Sequence, residues 1–312
     1  MSFRILLARE RGMCAGVERA ILVVEKALER YGANKVWVLH EVVHNRHVVE
    51  DLRRAGAIFV NSIAEVPEGS VLIFSAHGVS IAVEQEALRR NLTVIDATCP
   101  VVSGIHRKMN RAGKAGLEAV VIGHEGHQEV IGTIGQYEGD PKKVHVILTP
   151  EDVKALAING EKAFFATQTT LSVEETKETV EALRCKYPSI QGPKQDDTCN
   201  ATQLRQNAVR DLAHLSDAVI IAGSQNSSNS NRLREEAEHE GTQAYLIDDA
   251  SGIDLKWLEG VKTVGVSAGA SAPDYVIKDI VDHLLRHGGD SVEEVGEAGR
   301  TRHFPLPRPL QS

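Results

Sequence analysis

Short apolar runs alternate along the chain with stretches in which apolar residues recur every three or four positions. The short runs are rich in β-branched residues and predict buried strands, whereas the periodic stretches predict amphipathic helices. The predicted strands are 5–7, 36–39, 57–60, 71–74, 92–95, 119–122, 144–148, 163–166, 218–221, 243–247 and 263–266. Regular alternation of strand and helix is typical of an α/β fold with parallel sheets.

Three of the predicted helices begin directly after a cysteine. Cys14, Cys99 and Cys199 each precede an apolar stripe of helical period, and Pro100 suits the first position of the second helix. A helix N-terminus favours the thiolate form of a cysteine through the helix dipole. The three thiols are 85 and 100 residues apart, which is about one structural unit each.

This spacing predicts three similar α/β lobes with small parallel sheets. We place the first lobe at 14–98, the second at 99–195 and the third at 196–285, completed by the N-terminal strand within 1–13. The remaining segment, 286–312, has turn and loop chemistry. It is interpreted as either a frayed end or a flap over the site.

Composition restricts the class of protein. Apolar residues make up 42% of the 312 positions and charged residues 25%, which is ordinary for a soluble globular chain. A net charge of −8 gives no basic field for nucleic acid or an anionic membrane. The start does not resemble a signal peptide, and no apolar run is long enough to span a membrane. Four cysteines in so long a chain are not a disulfide framework, so we expect a reducing, cytoplasmic setting.

The three helix-start cysteines are candidate ligands of one metal centre. A cubic iron–sulfur cluster normally takes four thiolates, so three would leave one iron open for chemistry. Cys185 lacks this loop-to-helix setting, and we interpret it as a partly buried small residue within a helix.

Polar, glycine-containing loops follow five of the predicted strands. They are 75–78, 123–129, 167–170, 223–230 and 267–271. In parallel sheets, ligands bind outside the carboxyl ends of the strands, and helix N-termini bind phosphate. His77 and His127 would add charge-assisted donors when protonated. For any single Ser or Asn in these loops, a helix cap is about as good an explanation as a ligand.

The segment 40–44 matches the H-E-x-x-H pattern of zinc proteases. That chemistry needs both histidines on one face of a helix. His40 instead continues a predicted strand, and Val42-Val43 is a poor helix interior. The zinc interpretation is therefore weak, although His44 alone remains a candidate ligand at a strand end. No Walker loop or GxGxxG turn follows a strand, which disfavours a nucleotide.

The sequence resembles the 4-hydroxy-3-methylbut-2-enyl diphosphate reductase family from about residue 4 to residue 285. The matching segments, in chain order, are RGMCAGV at 11–17, HEVVHN at 40–45, SAHGVS at 75–80, DATCP at 96–100, GHEGHQE at 123–129, TQTTLS at 167–172, NSSNS at 226–230 and AGASAP at 268–273. So many segments in order and at compatible spacing make a chance resemblance untenable.

The resemblance implies a trefoil of three α/β lobes around a central 4Fe-4S cluster held by Cys14, Cys99 and Cys199. The family's diphosphate pocket maps onto His44, His77, His127, Ser227, Ser228, Asn229 and Ser271. Its proton donor maps onto Glu129 and its contact with the substrate hydroxyl onto Thr169. Neither of these last two roles follows from the residue pattern alone.

The implied reaction is reductive removal of the C4 hydroxyl from an allylic diphosphate, (E)-4-hydroxy-3-methylbut-2-enyl diphosphate. The products would be isopentenyl and dimethylallyl diphosphate, with electrons from a ferredoxin- or flavodoxin-type donor. Two alternatives stay open at this stage. One is a zinc-dependent hydrolase at His40 and His44, and the other is a non-catalytic sensor of phosphometabolites that uses an iron–sulfur cluster as a redox switch.

Overall fold

A computed structural model describes residues 2–194, 196–297, 299 and 303–311. The strands are β1 (Phe3–Ala8), β2 (Val36–Leu39), β3 (Ala57–Val60), β4 (Val71–Phe74), β5 (Thr93–Asp96), β6 (Glu118–Ile122), β7 (Val144–Ile147), β8 (Ala163–Thr167), β9 (Ala218–Ala222), β10 (Gln243–Ile247), β11 (Thr263–Ala268) and β12 (Gly289–Val295). The helices are α1 (Ala15–Tyr31), α2 (Arg46–Arg54), α3 (Ile81–Arg89), α4 (Pro100–Lys114), α5 (Gln128–Gly135), α6 (Pro150–Ala155), α7 (Val173–Lys186), α8 (Asn200–His214), α9 (Ser228–His239) and α10 (Asp274–Arg286).

The strands form three parallel sheets, which confirms the predicted α/β fold with small parallel sheets. The strand orders are β10-β9-β11-β1-β12, β3-β2-β4-β5 and β7-β6-β8. Every neighbouring pair is parallel, as in the register Leu39↔Phe74 between β2 and β4. Parallel pairing brings the carboxyl ends of all strands of a sheet to the same edge.

The chain divides into two compact units. The first unit comprises Met1–Glu18, Val43–Asp51 and Asn200–His303, and it contains the five-stranded sheet. The second comprises Arg19–Val42, Leu52–Cys199 and Phe304–Ser312, and it contains the other two sheets. The three-lobe boundaries at residues 98 and 195 stay a prediction.

Each unit has its own apolar core. In the first, Ile5, Val264 and Ile220 of adjacent strands are fully buried with Ile280 of α10. These strands read as continuous apolar runs because helices cover both faces of the sheet. In the second unit, Leu72 and Phe165 lie in separate clusters under the two smaller sheets. None of the helices in the described part of the chain is both long and apolar enough to cross a lipid bilayer.

The interpretation of 286–312 as loop was wrong for Gly289–Val295. These residues form β12, which pairs in parallel with β1 at the edge of the five-stranded sheet. Its sequence, GDSVEEV, is largely exposed and acidic, so it lacks the apolar pattern from which a strand is recognised. Farther on, the carbonyl oxygens of Pro305 and Pro309 accept hydrogen bonds from Arg19 and Arg30 of α1.

Candidate active site

The three candidate metal-ligand cysteines all stand at helix starts, as predicted. Cys99 is the N-cap of α4, and Cys14 and Cys199 directly precede α1 and α8. All three are half-buried. Cys185 is exposed rather than partly buried, because α7 buries the face that includes Val180 and Leu183 and position 185 lies on the other side.

In the second unit, the loop before Cys99 is tied down on both sides. The Asp96 carboxylate accepts the backbone N–H of Thr98 at 2.8 Å and its hydroxyl at 2.5 Å. Arg19 donates to the carbonyl oxygen of Thr98 at 3.1 Å. Burial lowers the pKa of Arg19, while the Asp96 carboxylate and the Cys99 thiol oppose that shift. The loop is therefore held by a guanidinium that sequence reasoning did not single out.

The same unit brings two candidate histidines together. The N–H of Cys99 donates to the carbonyl oxygen of Ala76, next to His77. The rings of His77 and His127 meet edge to face with centroids 6.0 Å apart. Nδ1 of His77 lies 3.3 Å from the Ser75 hydroxyl. His77 follows the carboxyl end of β4 and His127 is the N-cap of α5, where predicted loops place them.

Glu129 lies one residue into α5 and is 3% exposed. Its backbone N–H donates to Nδ1 of His127 at 3.1 Å. Its carboxylate accepts the backbone N–H of Thr169 at 2.7 Å and the Thr169 hydroxyl at 2.8 Å. The carbonyl oxygen of Thr169 in turn accepts the N–H of Cys199 at 3.0 Å. These contacts join the loops of both second-unit cysteines to the Glu129 carboxylate and the two histidines.

Asp197 fixes the approach to Cys199. One carboxylate oxygen lies 2.5 Å from Nζ of Lys108 on α4, and the other accepts the N–H of Thr167 at the end of β8. Its own N–H donates to the Thr167 hydroxyl at 2.8 Å. Sequence reasoning missed Asp197 and Lys108, and the only available signal was that Asp197 lies two residues before a candidate ligand.

In the first unit, a buried arginine supports the loop of Cys14. Arg205 is 3% exposed and donates to the carbonyl oxygens of Gly12 and Met13 at 3.0 and 3.1 Å. It also pairs with Glu10 at 2.9 Å. Gly12 has φ +70°, a conformation that favours glycine. No sequence pattern connects Arg205 on α8 with Gly12, which lies 193 residues away along the chain.

Asn229 meets the loop of Cys14 through Ala270. The N–H of Ala270 donates to Oδ1 of Asn229 at 2.8 Å, and its carbonyl oxygen accepts the N–H of Cys14 at 3.1 Å. Only the oxygen of a side-chain amide can accept this N–H. Oδ1 of Asn229 therefore faces Ala270, and Nδ2 points away from it. Nδ2 is buried, and within the described residues nothing accepts a hydrogen bond from it. A buried donor left unused costs about 1–3 kcal/mol, so the position suits a ligand oxygen.

The other first-unit candidates lie at the start of α9 and on the loops of His44 and Ser271. The Ser271 hydroxyl donates to the carbonyl oxygen of His44 at 2.9 Å. The Ser227 hydroxyl accepts the N–H of Ser230, so Ser227 serves as the N-cap of α9. Ser228 is the first residue of that helix, at the positive end of its dipole. The unit therefore gathers Cys14, His44, Asn229 and Ser271 at the carboxyl ends of β9 and β11.

The segment 40–44 is not helical. His40 has φ +60°, and the N–H of Ala76 binds the carbonyl oxygen of Val42, so the two histidines do not share a helix face. Among the described residues, no group of three His, Cys, Asp or Glu side chains is placed to hold a single metal ion. The H-E-x-x-H resemblance is therefore only a sequence coincidence.

These features define an α/β enzyme in which thiols at helix starts lie beside polar loops at the carboxyl ends of parallel strands. The family model described as LytB protein matches residues 5–285. The chain belongs to this family, the 4-hydroxy-3-methylbut-2-enyl diphosphate reductases, and is an oxidoreductase. The resemblance seen in the sequence is confirmed.

Relatives from several organisms carry that name. The one from Aeromonas salmonicida is 55% identical over 93% of this chain and 93% of its own. The one from Histophilus somni is 52% identical over 99% of this chain and 98% of its own. The solved structure of the E-1-hydroxy-2-methyl-but-2-enyl-4-diphosphate reductase from Plasmodium falciparum matches with a TM-score of 0.92 at 30% identity, covering 99% and 97% of the two chains.

Proposed function

We propose that the protein converts (E)-4-hydroxy-3-methylbut-2-enyl diphosphate into isopentenyl and dimethylallyl diphosphate, as the last step of an isoprenoid pathway. The reaction breaks the bond between C4 and its hydroxyl oxygen. Two electrons and two protons are consumed, one proton leaving with the oxygen as water and the other entering the carbon skeleton. The observation that carries the proposal is the contact chain from Cys199 through Thr169 to the buried Glu129 carboxylate.

We assign Cys14, Cys99 and Cys199 as the ligands of a 4Fe-4S cluster. The donor set fits such a cluster, since thiolates are its usual ligands and all three thiols stand half-buried at helix starts. When bound, the cluster supplies the electrons and, at the iron without a cysteine, a Lewis acid for the substrate hydroxyl. Cys185 lies exposed on α7 and is left out of the set.

Diphosphate binding is assigned to His44, His77, His127, Ser227, Ser228, Asn229 and Ser271. The buried Nδ2 of Asn229 offers a donor that the chain itself does not use within the described residues. The N-terminus of α9 adds backbone N–H groups and the positive end of a helix dipole. Imidazole, hydroxyl and amide donors thus replace the Lys or Arg that commonly binds phosphate.

Glu129 is assigned as the proton donor and Thr169 as its partner at the substrate hydroxyl. Two hydrogen bonds from Thr169 orient the carboxyl group, and a third, from the Glu129 N–H to His127, fixes the start of α5. A positioned carboxyl group of this kind contributes about 10²–10⁴-fold to a rate through proton transfer. We assign to the Thr169 hydroxyl, which donates a hydrogen bond to Glu129, the transfer of a proton between Glu129 and a substrate oxygen.

The test of the proposal is anaerobic purification followed by iron and sulfide analysis of single-cysteine variants. We expect the parent protein and Cys185→Ser to hold about four irons per chain, the content of the assigned cluster. Cys14→Ser, Cys99→Ser and Cys199→Ser should each lose iron. An equal loss of iron in Cys185→Ser would overturn the assignment. So would a colourless parent protein that binds zinc and in which no cluster can be reconstituted.

A non-catalytic sensor built on the same residues makes a different prediction. It would bind the substrate and hold the cluster, yet it would not turn over with any electron donor. The buried, doubly hydrogen-bonded Glu129 favours the enzyme, because a sensor needs no proton donor at the hydroxyl.

A further inference from the structure

Helix α4, which begins directly after Cys99, has a charge pattern of its own. It carries Arg107, Lys108, Arg111 and Lys114 and no Asp or Glu. The other α-helices of the described chain each contain at least one carboxylate, and the whole sequence has a net charge of −8. The positive charge of α4 therefore contrasts with the acidic character of the whole chain.

Two of the four cations have roles in the fold. Lys108 pairs with Asp197 at 2.5 Å, and Lys114 pairs with Glu138 at 3.1 Å. Arg107 and Arg111 are exposed, and neither has a hydrogen-bond or ion-pair partner within the described residues. They stand four residues apart on one face of α4, where like charges repel by a few tenths of a kcal/mol. Arg111 lies in the last turn of α4, where the helix dipole favours a cation, whereas Arg107 lies before that turn and has no such role.

Both arginines line a pocket of about 480 Å³. Ser103 and Asn110 of α4 and Thr98 of the Cys99 loop also line it. Its two carboxylates are already engaged, since Asp96 accepts from Thr98 and Glu84 accepts from the side-chain amide of Gln136. Phe74 and Val79 make part of the lining apolar, and the two guanidinium groups, which have no partner within the described residues, suit an acidic side chain of a docking protein.

The position of this face on the chain relates it to the metal centre. At 1.5 Å per residue, α4 carries Arg107 about 12 Å and Arg111 about 18 Å along its axis from Cys99. A protein seated there would lie close to Cys99, one of the proposed cluster ligands. We define the α4 basic face as Arg107, Arg111 and the pocket that they line.

We propose that the α4 basic face is the docking surface for an acidic electron-carrying protein, of the ferredoxin or flavodoxin type, that delivers electrons to the cluster. The inference rests on the proposed function. Complementary charge steers such encounters and accelerates association, and it does so less at high salt. The reductase reaction consumes two electrons that the chain does not supply by itself, so a donor must reach the metal centre.

The test compares Arg107→Glu/Arg111→Glu with Lys154→Glu/Lys177→Glu in the reconstituted holoenzyme. The control pair is exposed, lies in the same unit and changes the charge equally. Turnover is measured with a reduced acidic flavodoxin and separately with reduced methyl viologen. We expect the α4 variant to lose at least tenfold in kcat/KM for flavodoxin, to keep its rate with methyl viologen and to lose the salt dependence seen in the parent. The control should match the parent.

Several results would overturn the proposal. These are an unchanged flavodoxin rate in the α4 variant, an equal loss in the control pair, or a parallel loss with methyl viologen, which would mean damage to the enzyme itself. The milder Arg107→Gln/Arg111→Gln variant and a thermal melt separate docking from folding.

Calorimetry with oxidised flavodoxin measures docking without turnover. If the parent binds flavodoxin and the α4 variant does not, while no reductant supports turnover, the docking surface stands and the reductase proposal fails. If the parent reduces its substrate with methyl viologen but both proteins bind flavodoxin equally, the reductase proposal stands and the docking surface is wrong.

Discussion

The Glu129 carboxylate is held by two hydrogen bonds from one residue, the N–H and the hydroxyl of Thr169, at 2.7 and 2.8 Å. One oxygen of the carboxylate meets the backbone and the other meets the side chain. These two bonds fix both the plane of the carboxyl group and its neighbour. Glu129 is also almost completely buried, at 3% exposed. Such preorganisation is what a proton donor at a buried site requires.

Glu129→Gln should reduce turnover by about 10²-fold or more while iron content stays at the parent level. Glutamine has nearly the same shape and can still accept the Thr169 N–H, but it has no carboxyl proton to give. Steady-state rates with methyl viologen, normalised to iron, measure the effect. Glu125→Gln, on the exposed part of the same loop, is the matched control. A Glu129→Gln enzyme with near-normal turnover would remove this residue from the proton path.

Thr169→Val tests the hydroxyl separately from the backbone. Valine keeps the N–H that binds Glu129 and nearly the same volume, but it leaves one carboxylate oxygen without its partner. We expect about a tenfold or larger loss in kcat, the scale of one hydrogen bond to a charged group. Thr169→Ser should recover most of the activity. Equal rates in the Val and Ser variants would mean that the hydroxyl has no part in catalysis.

Asn229→Asp should weaken binding of a diphosphate product more than tenfold, since it replaces the buried Nδ2 donor by a negative oxygen. Aspartate still accepts the N–H of Ala270, so the loop beside Cys14 should persist and iron content should not change. Isothermal titration with isopentenyl diphosphate gives the affinity. Asn226→Asp, at an exposed position before the same helix, is the control. Similar affinities in the two variants would exclude Asn229 from the diphosphate pocket.

His106 makes the folded state sensitive to acid. Burial lowers its pKa to about 4, against the opposing charge of Asp96 and with a smaller lowering from Arg107. Between pH 6.5 and 4 the unfolded chain binds a proton that folded His106 does not, so this contribution to stability is present above pH 6.5 and is lost as pH falls towards 4. The difference is on the order of 3 kcal/mol.

Urea unfolding of the apoprotein at pH 7.5 and pH 5 measures this effect, with His106→Gln as the comparison. The parent should lose more free energy of unfolding across this interval than the variant. Identical losses would show that His106 titrates normally in the folded protein.

Gly78→Ala should destabilise the second unit by about 2–4 kcal/mol, through strain and overpacking together. Gly78 has φ +77°, and a Cβ there would lie 2.3 Å from Cε1 of His106 and 3.1 Å from Cγ2 of Thr98. Gly126→Ala is the matched control, because Gly126 has φ +83° but open space around it. Thermal or urea unfolding compares them. Equal destabilisation of both variants would mean that only backbone strain matters at residue 78.

The sequence predicted the apolar elements well and the polar ones poorly. All eleven apolar strands were recognised because buried parallel strands are continuous runs of β-branched residues, as in β2 and β4. The edge strand β12 was missed because its burial is slight and its residues are acidic. Partial burial of Cys185 is a wrong prediction, because the few apolar residues of α7 do not show how far around the helix the buried face extends.

Candidate ligands were recognisable because thiols and histidines stand at strand ends and helix starts. The residues that hold the ligand loops in place could not be recognised from the sequence. Arg205, Arg19 and Asp197 act on backbone carbonyls or amides far away in sequence, and only the fold brings them there. The assignment of Glu129 and Thr169 came from family resemblance, and the hydrogen bonds between them supply a physical reason for it.

The central claim is tested most directly by incubating the anaerobically reconstituted protein with (E)-4-hydroxy-3-methylbut-2-enyl diphosphate and reduced methyl viologen, then separating the products. The account predicts that isopentenyl and dimethylallyl diphosphate appear as two equivalents of reductant are consumed for each substrate. A protein that carries about four irons per chain, binds the substrate and leaves it unchanged would contradict the account.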